Sequence, residues 1–141
     1  LLADGAIQRI RLVTVRGETG YSIVKFEIIA QNNGTTDYEH TCQVFTNEPD
    51  AASDAINFDN PQLLAVAYTE GNNSSNYIGQ PLITIFDAMK VNQDIFITHV
   101  DAKGALNCNY YLELETSKLT QNEATVATLK DMRGNYTNQD P

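Results

Sequence analysis

The strongest constraint on the fold is an alternation of apolar and polar residues that recurs along the chain. In residues 104–116, GALNCNYYLELET, every second position from Leu106 to Leu114 carries leucine, cysteine or tyrosine, and the intervening positions carry asparagine, tyrosine or glutamate. Because successive side chains of a strand point to opposite faces, this period predicts a strand with one buried and one solvated face. Glu113 and Glu115 then belong to the solvated face.

The same period predicts strands in several other segments, namely 7–16, 21–30, 38–46, 63–70, 81–89 and 93–100. In residues 21–30 it puts Val24, Phe26 and Ile28 on one face and the charged residues on the other. The segment 47–62 contains two prolines and many Asp and Asn residues, which indicates a loop.

Two short segments have the composition of hairpin turns. GETG at 17–20 and DAKG at 101–104 are glycine-containing breaks between alternating segments, so we expect the strands on either side of each turn to pair. The register of residues 93–100 against 105–116 stays open. A two-residue loop would bury Ile95 and Ile97, and a three-residue loop would bury Phe96 and Val100 instead.

The C-terminal segment has helix signals at both ends. Thr120 and Glu123 have the spacing of a capping box, in which each side chain bonds a backbone N–H at the helix start. Lys130 and Arg133 suit the last turn and Gly134 suits the C-cap, because cations favour the negative end of the helix dipole. We therefore expect a helix over about 121–133 and a loose tail at 135–141.

The chain is long enough for one compact domain, residues 1–141, since domains cluster around ~100–150 residues. Antiparallel strands followed by one helix predict a mainly β fold, either a β-sandwich or a jelly-roll-like domain with a C-terminal α-helix. The longest apolar runs are far shorter than the ~20 residues of a membrane span, so we expect no membrane association.

The net charge of −9 is unevenly distributed along the sequence. Arg9, Arg11, Arg16 and Lys25 lie near the start, whereas residues 27–87 contain nine acidic residues and no Lys or Arg. An acidic body repels phosphate backbones, because affinity for nucleic acids depends on cationic side chains that displace counterions. We therefore expect no nucleic-acid partner.

Cysteine and histidine are scarce. Cys42 and Cys108 are the two cysteines, which is too few for a disulfide framework, although export would allow a single bridge between them. His40 and Cys42 share a strand face, and His99 and Cys108 lie on strands expected to be neighbours, so a mixed cluster is conceivable. None of the spacings matches a zinc motif, which favours core packing and predicts no metal and no cofactor.

Catalytic signatures are also weak. Glu113 and Glu115 have carboxylates ~7 Å apart by strand geometry, a distance that suits a glycosidase pair. Such pairs normally come from separate elements facing a cleft, whereas these two glutamates are expected to face solvent. We therefore expect no enzymatic activity, with a small hydrolase acting through these glutamates as a less favoured alternative.

Three stretches resemble a group of small virion structural proteins of tailed bacteriophages. They are QRIRLVTVRGETGYSIVKFEII (8–29), NQDIFITHVDAKGALNCNYYLELET (92–116) and EATVATLKDMR (123–133). The resemblance implies a non-enzymatic, β-rich protein on or within a capsid or neck, present in many copies and forming a homo-oligomer. It implies virion localisation after assembly in the host cytoplasm, with the major capsid protein or other virion proteins as partners. The group supplies no active-site residues.

Four residues are the predicted partner-binding set: Arg9, Arg11 and Arg16 on the basic first strand, and Tyr111. The arginines could pair with an acidic shell surface, or they could simply line the polar face of a strand. Tyrosines at positions 21, 38, 68, 77 and 111 could instead form an exposed face for sugar stacking, which keeps a carbohydrate- or receptor-binding fibre or adhesin domain as the alternative function.

Overall fold

The computed structural model of the chain describes residues 1–14, 17–33, 36–73, 77–86 and 90–138, with the side chains of 77 and 130–138 left out of the description. The elements are β1 (Ile7–Ile10), β2 (Thr19–Ala30), β3 (Tyr38–Phe45), β4 (Leu63–Asn72), β5 (Tyr77–Ile78), β6 (Leu82–Ile85), β7 (Ile95–Asp101), β8 (Cys108–Lys118) and α1 (Gln121–Asn138). All observed strand pairs are antiparallel. The prediction of a mainly β fold with a C-terminal helix is confirmed.

The strands form two sheets of very different size. Six strands make the large sheet, in the order β1-β7-β3-β4-β5, with β6 also bonded to β4. The small sheet is a two-stranded ribbon of β2 and β8. Single bridges join the ribbon to the segments that precede β1 and β7, from Cys108 to Leu2 and from Tyr21 to Val91.

One hydrophobic core receives side chains from both sheets. Phe26, Ile28 and Cys108 come from the ribbon, and Val44 and Ile97 are among those from the large sheet, all of them almost completely buried. The predicted inner face of β8 is confirmed, because Cys108, Tyr110, Leu112 and Leu114 all contact this core.

Neither predicted hairpin forms, and both predictions are wrong. β1 pairs with β7 and β2 pairs with β8, so GETG connects the large sheet to the ribbon. The DAKG turn likewise leads from β7 into the other sheet. The Asp101 carboxylate accepts the backbone N–H groups of Lys103 and Leu106 at 3.2 and 3.0 Å, which holds the chain as it crosses. The question of the register between these two strands therefore does not arise. Ile95 and Ile97 are fully buried in β7, as are Thr98 and His99.

The predicted face of β2 is wrong at Val24. The register of β2 against β8 shifts between Ile23 and Lys25, which marks a β-bulge at Val24. A bulge inserts an extra residue and interrupts the alternation of faces. Ile23 therefore joins Phe26 in the core, whereas the side chain of Val24 is 47% exposed.

The helix begins as predicted and ends later. The Thr120 Oγ1 atom accepts the N–H of Glu123 at 3.2 Å, and the Glu123 carboxylate accepts the N–H of Thr120 at 3.5 Å, which confirms the capping box. The predicted stop at Gly134 is wrong, because α1 continues to Asn138 and no basic residue lies in its last turn. Residues 135–138 of the predicted tail are thus helical, and 139–141 lie outside the described residues.

Asn92 connects the helix to the sheets. Its amide nitrogen donates to the carbonyl oxygens of Gly17 and Ala124 and to Thr128 Oγ1, at 3.0–3.3 Å. The capping box was sufficient to predict the N-terminus of the helix. The contacts of Asn92 with the helix could not be predicted in the same way, because Asn92 is distant from the helix in sequence. Within the described residues, no helix has the length and apolar character needed to span a membrane.

Candidate functional site

The predicted partner-binding arginines differ in their surroundings. Arg9 on β1 forms an ion pair with Asp94, whose Oδ2 accepts the Nε–H of Arg9 at 2.6 Å. Asp94 Oδ1 accepts the N–H of Leu12 at 2.9 Å, and this bond, followed by the contact with Arg9, lowers the pKa of Asp94. Arg11 is exposed, and Arg16 lies outside the described residues. Arg9 is therefore partly neutralised by the protein's own fold.

Tyr111 lies on the solvated face of the ribbon, on a different sheet from Arg9. Its side chain is 54% exposed, and Lys25 Nζ lies 5.6 Å from the ring centroid, within the range of a cation–π contact. Arg9 and Tyr111, two of the described members of the predicted set, therefore lie on different sheets. Tyr111 and Arg11 remain accessible to a partner on separate surfaces.

Tyr21, Tyr38 and Tyr68, the other predicted tyrosines whose side chains are described, are buried or half-buried. Tyr38 is buried and stacks on His40 with ring centroids 5.0 Å apart. The Tyr68 hydroxyl lies 3.1 Å from carboxylate oxygens of both Glu39 and Glu70, and burial together with these bonds raises the pKa of Tyr68. The side chain of Tyr77 is not described. The expectation for Tyr38 is therefore wrong, because its ring belongs to the interior.

Glu113 and Glu115 are exposed, as the alternation predicted. Across the ribbon they lie opposite Lys25 and Ser22. A surface hollow near the end of the ribbon is lined by Glu18, Thr19 and residues 116–118 and includes neither glutamate. The structure therefore gives these two carboxylates a solvated strand face as their environment.

An apolar surface at the outer edge of β4 was missed by the sequence reasoning. β5 and β6 both pair with β4, and Ile78, Leu82 and Ile83 on these strands are 56%, 66% and 41% exposed. We call these three residues the edge patch. The sequence contains a signal for it, since residues 77–86, YIGQPLITIF, include no charged side chain in an otherwise acidic protein.

A cluster of histidine and cysteine side chains lies in the core. His40 and Cys42 project from the same face of β3, and Cys42 is the direct register partner of His99 on β7. Cys108 comes from the ribbon. Ligand atoms of His40, His99 and Cys108 all lie within 4.8 Å of one another, and all four side chains are fully buried. We call these four residues the His/Cys cluster.

The hydrogen bonds fix the protonation of both rings. His99 Nδ1 lies 2.9 Å from the carbonyl oxygen of Ala3, which can only accept, so Nδ1 carries the proton. His99 Nε2 is then an acceptor in the neutral ring, and His40 Nδ1 donates to it at 2.8 Å. His40 Nε2 is left as a buried lone pair without a hydrogen-bond partner among the described residues.

The environment keeps His40 and Cys42 uncharged. Burial, followed by the proximity of His99, lowers the pKa of His40 to about 4, so this ring is neutral at pH 7. A hydrogen bond with Cys108 and burial raise the pKa of the Cys42 thiol. Both cysteines are free thiols. Two imidazoles and two thiols form a donor set typical of borderline-soft metal ions.

Sequence spacing was a poor guide to this cluster, because its members come from β3, β7 and β8. The spacing rules for zinc sites describe ligands held by one local motif. Here the cluster depends on the register of β3 against β7 and on the ribbon packing over them. Comparison of the chain with protein-family models, curated proteins and solved structures found no match.

Proposed function

We propose that this protein is a non-enzymatic structural component of a phage virion, a decoration or cement protein that binds the capsid shell or neck as a homo-oligomer. Its two sheets then act as a sandwich-type scaffold, which is supported by the single core that they share. The observation that carries the proposal is the edge patch. It is an uncharged, apolar strand edge on a protein whose net charge is −9.

Exposed apolar strand edges are rare on proteins that act alone, because an unpaired row of backbone groups attracts another strand. Natural edges usually carry lysine or another charge that prevents such pairing, and β6 carries none. Leu82 and Ile83 project on opposite faces of β6, so both faces of this edge are apolar. Exposed apolar side chains on both faces of an uncharged strand edge favour pairing with another chain.

The partner at the edge patch is a second copy of the chain. Antiparallel pairing of β6 with its own copy buries the same residues on both subunits, which is the geometry of a two-fold interface. The rest of the surface then contacts the major capsid protein or other virion proteins. Arg11 and Tyr111 are better candidates for that contact than Arg9, whose guanidinium is already paired with Asp94.

The oligomer is tested by measuring molar mass with light scattering during size-exclusion chromatography. We expect the wild-type chain to elute above its monomer mass of 15.6 kDa and Leu82→Lys to elute as a monomer. Ile29→Lys is the matched control, because Ile29 is 60% exposed on the ribbon and should leave the mass unchanged. A monomeric wild-type protein, or equal loss of mass in both variants, contradicts this interface.

The virion assignment is tested by locating the protein in particles. Gold-labelled antibody against the purified chain should label intact phage particles in electron micrographs at repeated positions. Arg11→Glu combined with Tyr111→Ala should reduce binding of the added protein to particles, while Glu115→Gln should not. Labelling restricted to material outside the particles contradicts the proposal.

A carbohydrate- or receptor-binding domain is the second candidate, and exposed Tyr111 beside Lys25 is the observation that favours it. An aromatic ring on a solvated face can stack on a sugar ring. Measuring binding of the purified protein to a glycan array distinguishes the two functions. Saturable binding that is lost in Tyr111→Ala favours this candidate, and absence of glycan binding together with tight particle binding favours the structural component.

A further inference from the structure

We infer that the His/Cys cluster is a structural metal site that binds one zinc ion through His40, His99, Cys42 and Cys108. Two histidines and two cysteines form a complete tetrahedral ligand set of the kind that structural zinc sites use. The site would join β3 and β7 of the large sheet to β8 of the ribbon. This inference is independent of the proposed virion function.

The separations in the cluster are close to those of a zinc site. Zinc–nitrogen bonds of about 2.0–2.1 Å and zinc–sulfur bonds of about 2.3 Å put tetrahedral ligand atoms roughly 3.3–3.8 Å apart. His40 Nδ1 and His99 Nε2 are 2.8 Å apart, and the atoms of His40, His99 and Cys108 all lie within 4.8 Å. The nitrogens must separate slightly and the sulfur must approach by about 1 Å, which side-chain rotation can provide.

Cys42 completes the set. It shares the face of β3 with His40 and lies opposite His99 in the register, so its thiol projects into the core to which Cys108 also belongs. The Cys108 sulfur lies 3.4 Å from the backbone oxygen of Asn109 and 3.7 Å from that of Ile29. These weak contacts compete little with a metal for the sulfur atom.

The proton balance of binding follows from the hydrogen-bond chain. Zinc takes the position of the proton shared between the two rings, so His99 Nε2 offers its lone pair directly. The Nδ1 proton of His40 moves to Nε2 of the same ring, which is an unprotonated lone pair without a partner. The two thiol protons are released to solvent, because cysteine binds zinc as thiolate.

The orientation of His99 is already set. Its Nδ1–H donates to the carbonyl oxygen of Ala3, and metal-bound histidines nearly always have such a second partner. Tyr38 stacks on the other histidine at 5.0 Å and excludes water from that side. With four protein ligands and no open position, the predicted role is to stabilise the fold.

The test is cobalt and zinc binding by the full-length chain. Because the site is buried, the protein is unfolded with chelator and reductant and then refolded with Co²⁺. We expect one ion per chain and the thiolate-to-cobalt charge-transfer absorption of a tetrahedral site, displaced by Zn²⁺. Zinc at a hundredfold excess over its dissociation constant should raise Tm by roughly 5–10 °C.

Substitutions distinguish loss of zinc coordination from loss of core packing. Cys108→Ser should abolish the Tm shift, and Cys42→Ser should remove about half of the charge-transfer absorption. Val44→Ala is the matched control, since it removes a fully buried side chain from the same face of β3 and keeps all four ligands. Its Tm should be lower, with the zinc shift unchanged.

The wild-type measurement alone can overturn the inference, even where a variant fails to fold. Folded wild-type protein that gives no charge-transfer absorption and no Tm shift with zinc contradicts it. An unchanged Tm shift in Cys108→Ser would contradict it as well, because zinc would then bind elsewhere.

Discussion

The ribbon and the centre of the large sheet are both antiparallel, yet they bury their side chains differently. In β8 buried or half-buried positions alternate with exposed ones along most of the strand. In β3 six of eight residues are buried, including the polar Thr41 and Gln43. The outer face of β3 is covered by the loop 47–62, where the Gln43 amide donates to the carbonyl oxygens of Ser53 and Ala55 at 2.9 and 3.1 Å.

This difference explains where function can lie. The ribbon has one face free for contacts, whereas the centre of the large sheet is closed on both faces and can hold only an internal site. The edge of the large sheet at β6 resembles the ribbon, since it is exposed. Partner binding is therefore expected at the ribbon face and the sheet edge, and metal binding between the sheets.

The largest expected effect lies on the inner face of the ribbon. Phe26→Ala removes a ring that is 1% exposed and should lower the free energy of unfolding by about 3–5 kcal/mol, because it loses buried apolar area and leaves a cavity. Val24→Ala, two residues away at the bulge, should change it by less than about 0.5 kcal/mol. Urea denaturation measures both values. Similar losses in the two variants would mean that the bulge does not turn Val24 outward.

The sequence predicted faces better than it predicted neighbours. Alternation in 104–116 was sufficient to put Leu112 and Leu114 on the face that packs against the core, because local period decides which side of a strand is apolar. It could not predict that β8 pairs with β2, since the turns GETG and DAKG have the local composition of hairpins. What selects the partner strand is the shared core, which involves residues distant in sequence.

The same limit applies to the candidate sites. The exposed positions of Tyr111, Glu113 and Glu115 followed from period alone. The His/Cys cluster needs the pairing of Cys42 with His99 and the crossing of β8 over them, and neither is encoded in residue spacing. The bulge at Val24 has no local sequence signal that we recognise, and the edge patch was visible only as a run without charge.

A smaller effect on stability is expected when one glycine in the large sheet and one in the ribbon are each replaced by alanine. In the large sheet a Cβ atom at Gly71 would lie 2.5 Å from Tyr38 Cε1, and that ring is held by its stack on His40. Gly71→Ala should therefore cost about 1–3 kcal/mol of unfolding free energy. Gly20→Ala in the ribbon meets the terminal methyl of Leu119 at 2.6 Å, which can rotate, so its cost should be below about 1 kcal/mol. Chemical denaturation of both variants tests the ranking, and a reversed order would contradict it.

Acid should weaken the ion pair at the β1 edge. The pKa of Asp94 is lowered below its ordinary 3.8, mainly by the N–H of Leu12 and then by Arg9. A carboxyl group whose pKa is lowered by folding stabilises the folded state at pH values above its unfolded-state pKa. This stabilisation is lost as the pH falls through the folded-state pKa. Asp94→Asn should cost about 1–2 kcal/mol at pH 7, from the lost charge-assisted bonds.

The cost of Asp94→Asn should shrink as pH falls below 3.8 and vanish once the wild-type carboxyl is protonated. Urea unfolding at a series of pH values measures the difference between the two proteins. Glu115→Gln, on the exposed ribbon face, is the control and should show a difference near zero throughout. A difference for Asp94→Asn that stays constant down to the lowest pH would mean that the carboxylate charge does not contribute.

A small effect on stability is expected at Tyr111, where the comparison of variants separates folding from function. The contact with Lys25 is exposed, so its loss in Tyr111→Ala should cost no more than about 0.5–1 kcal/mol. Lys25→Ala should cost as little, because it breaks the same contact from the other side. If Tyr111 binds a partner, Tyr111→Ala must lose particle or glycan binding while its urea midpoint stays near that of the wild type. A stability loss above about 2 kcal/mol would instead mean that the ring stabilises the ribbon. The outer face of the ribbon would then have a structural role, like the centre of the large sheet.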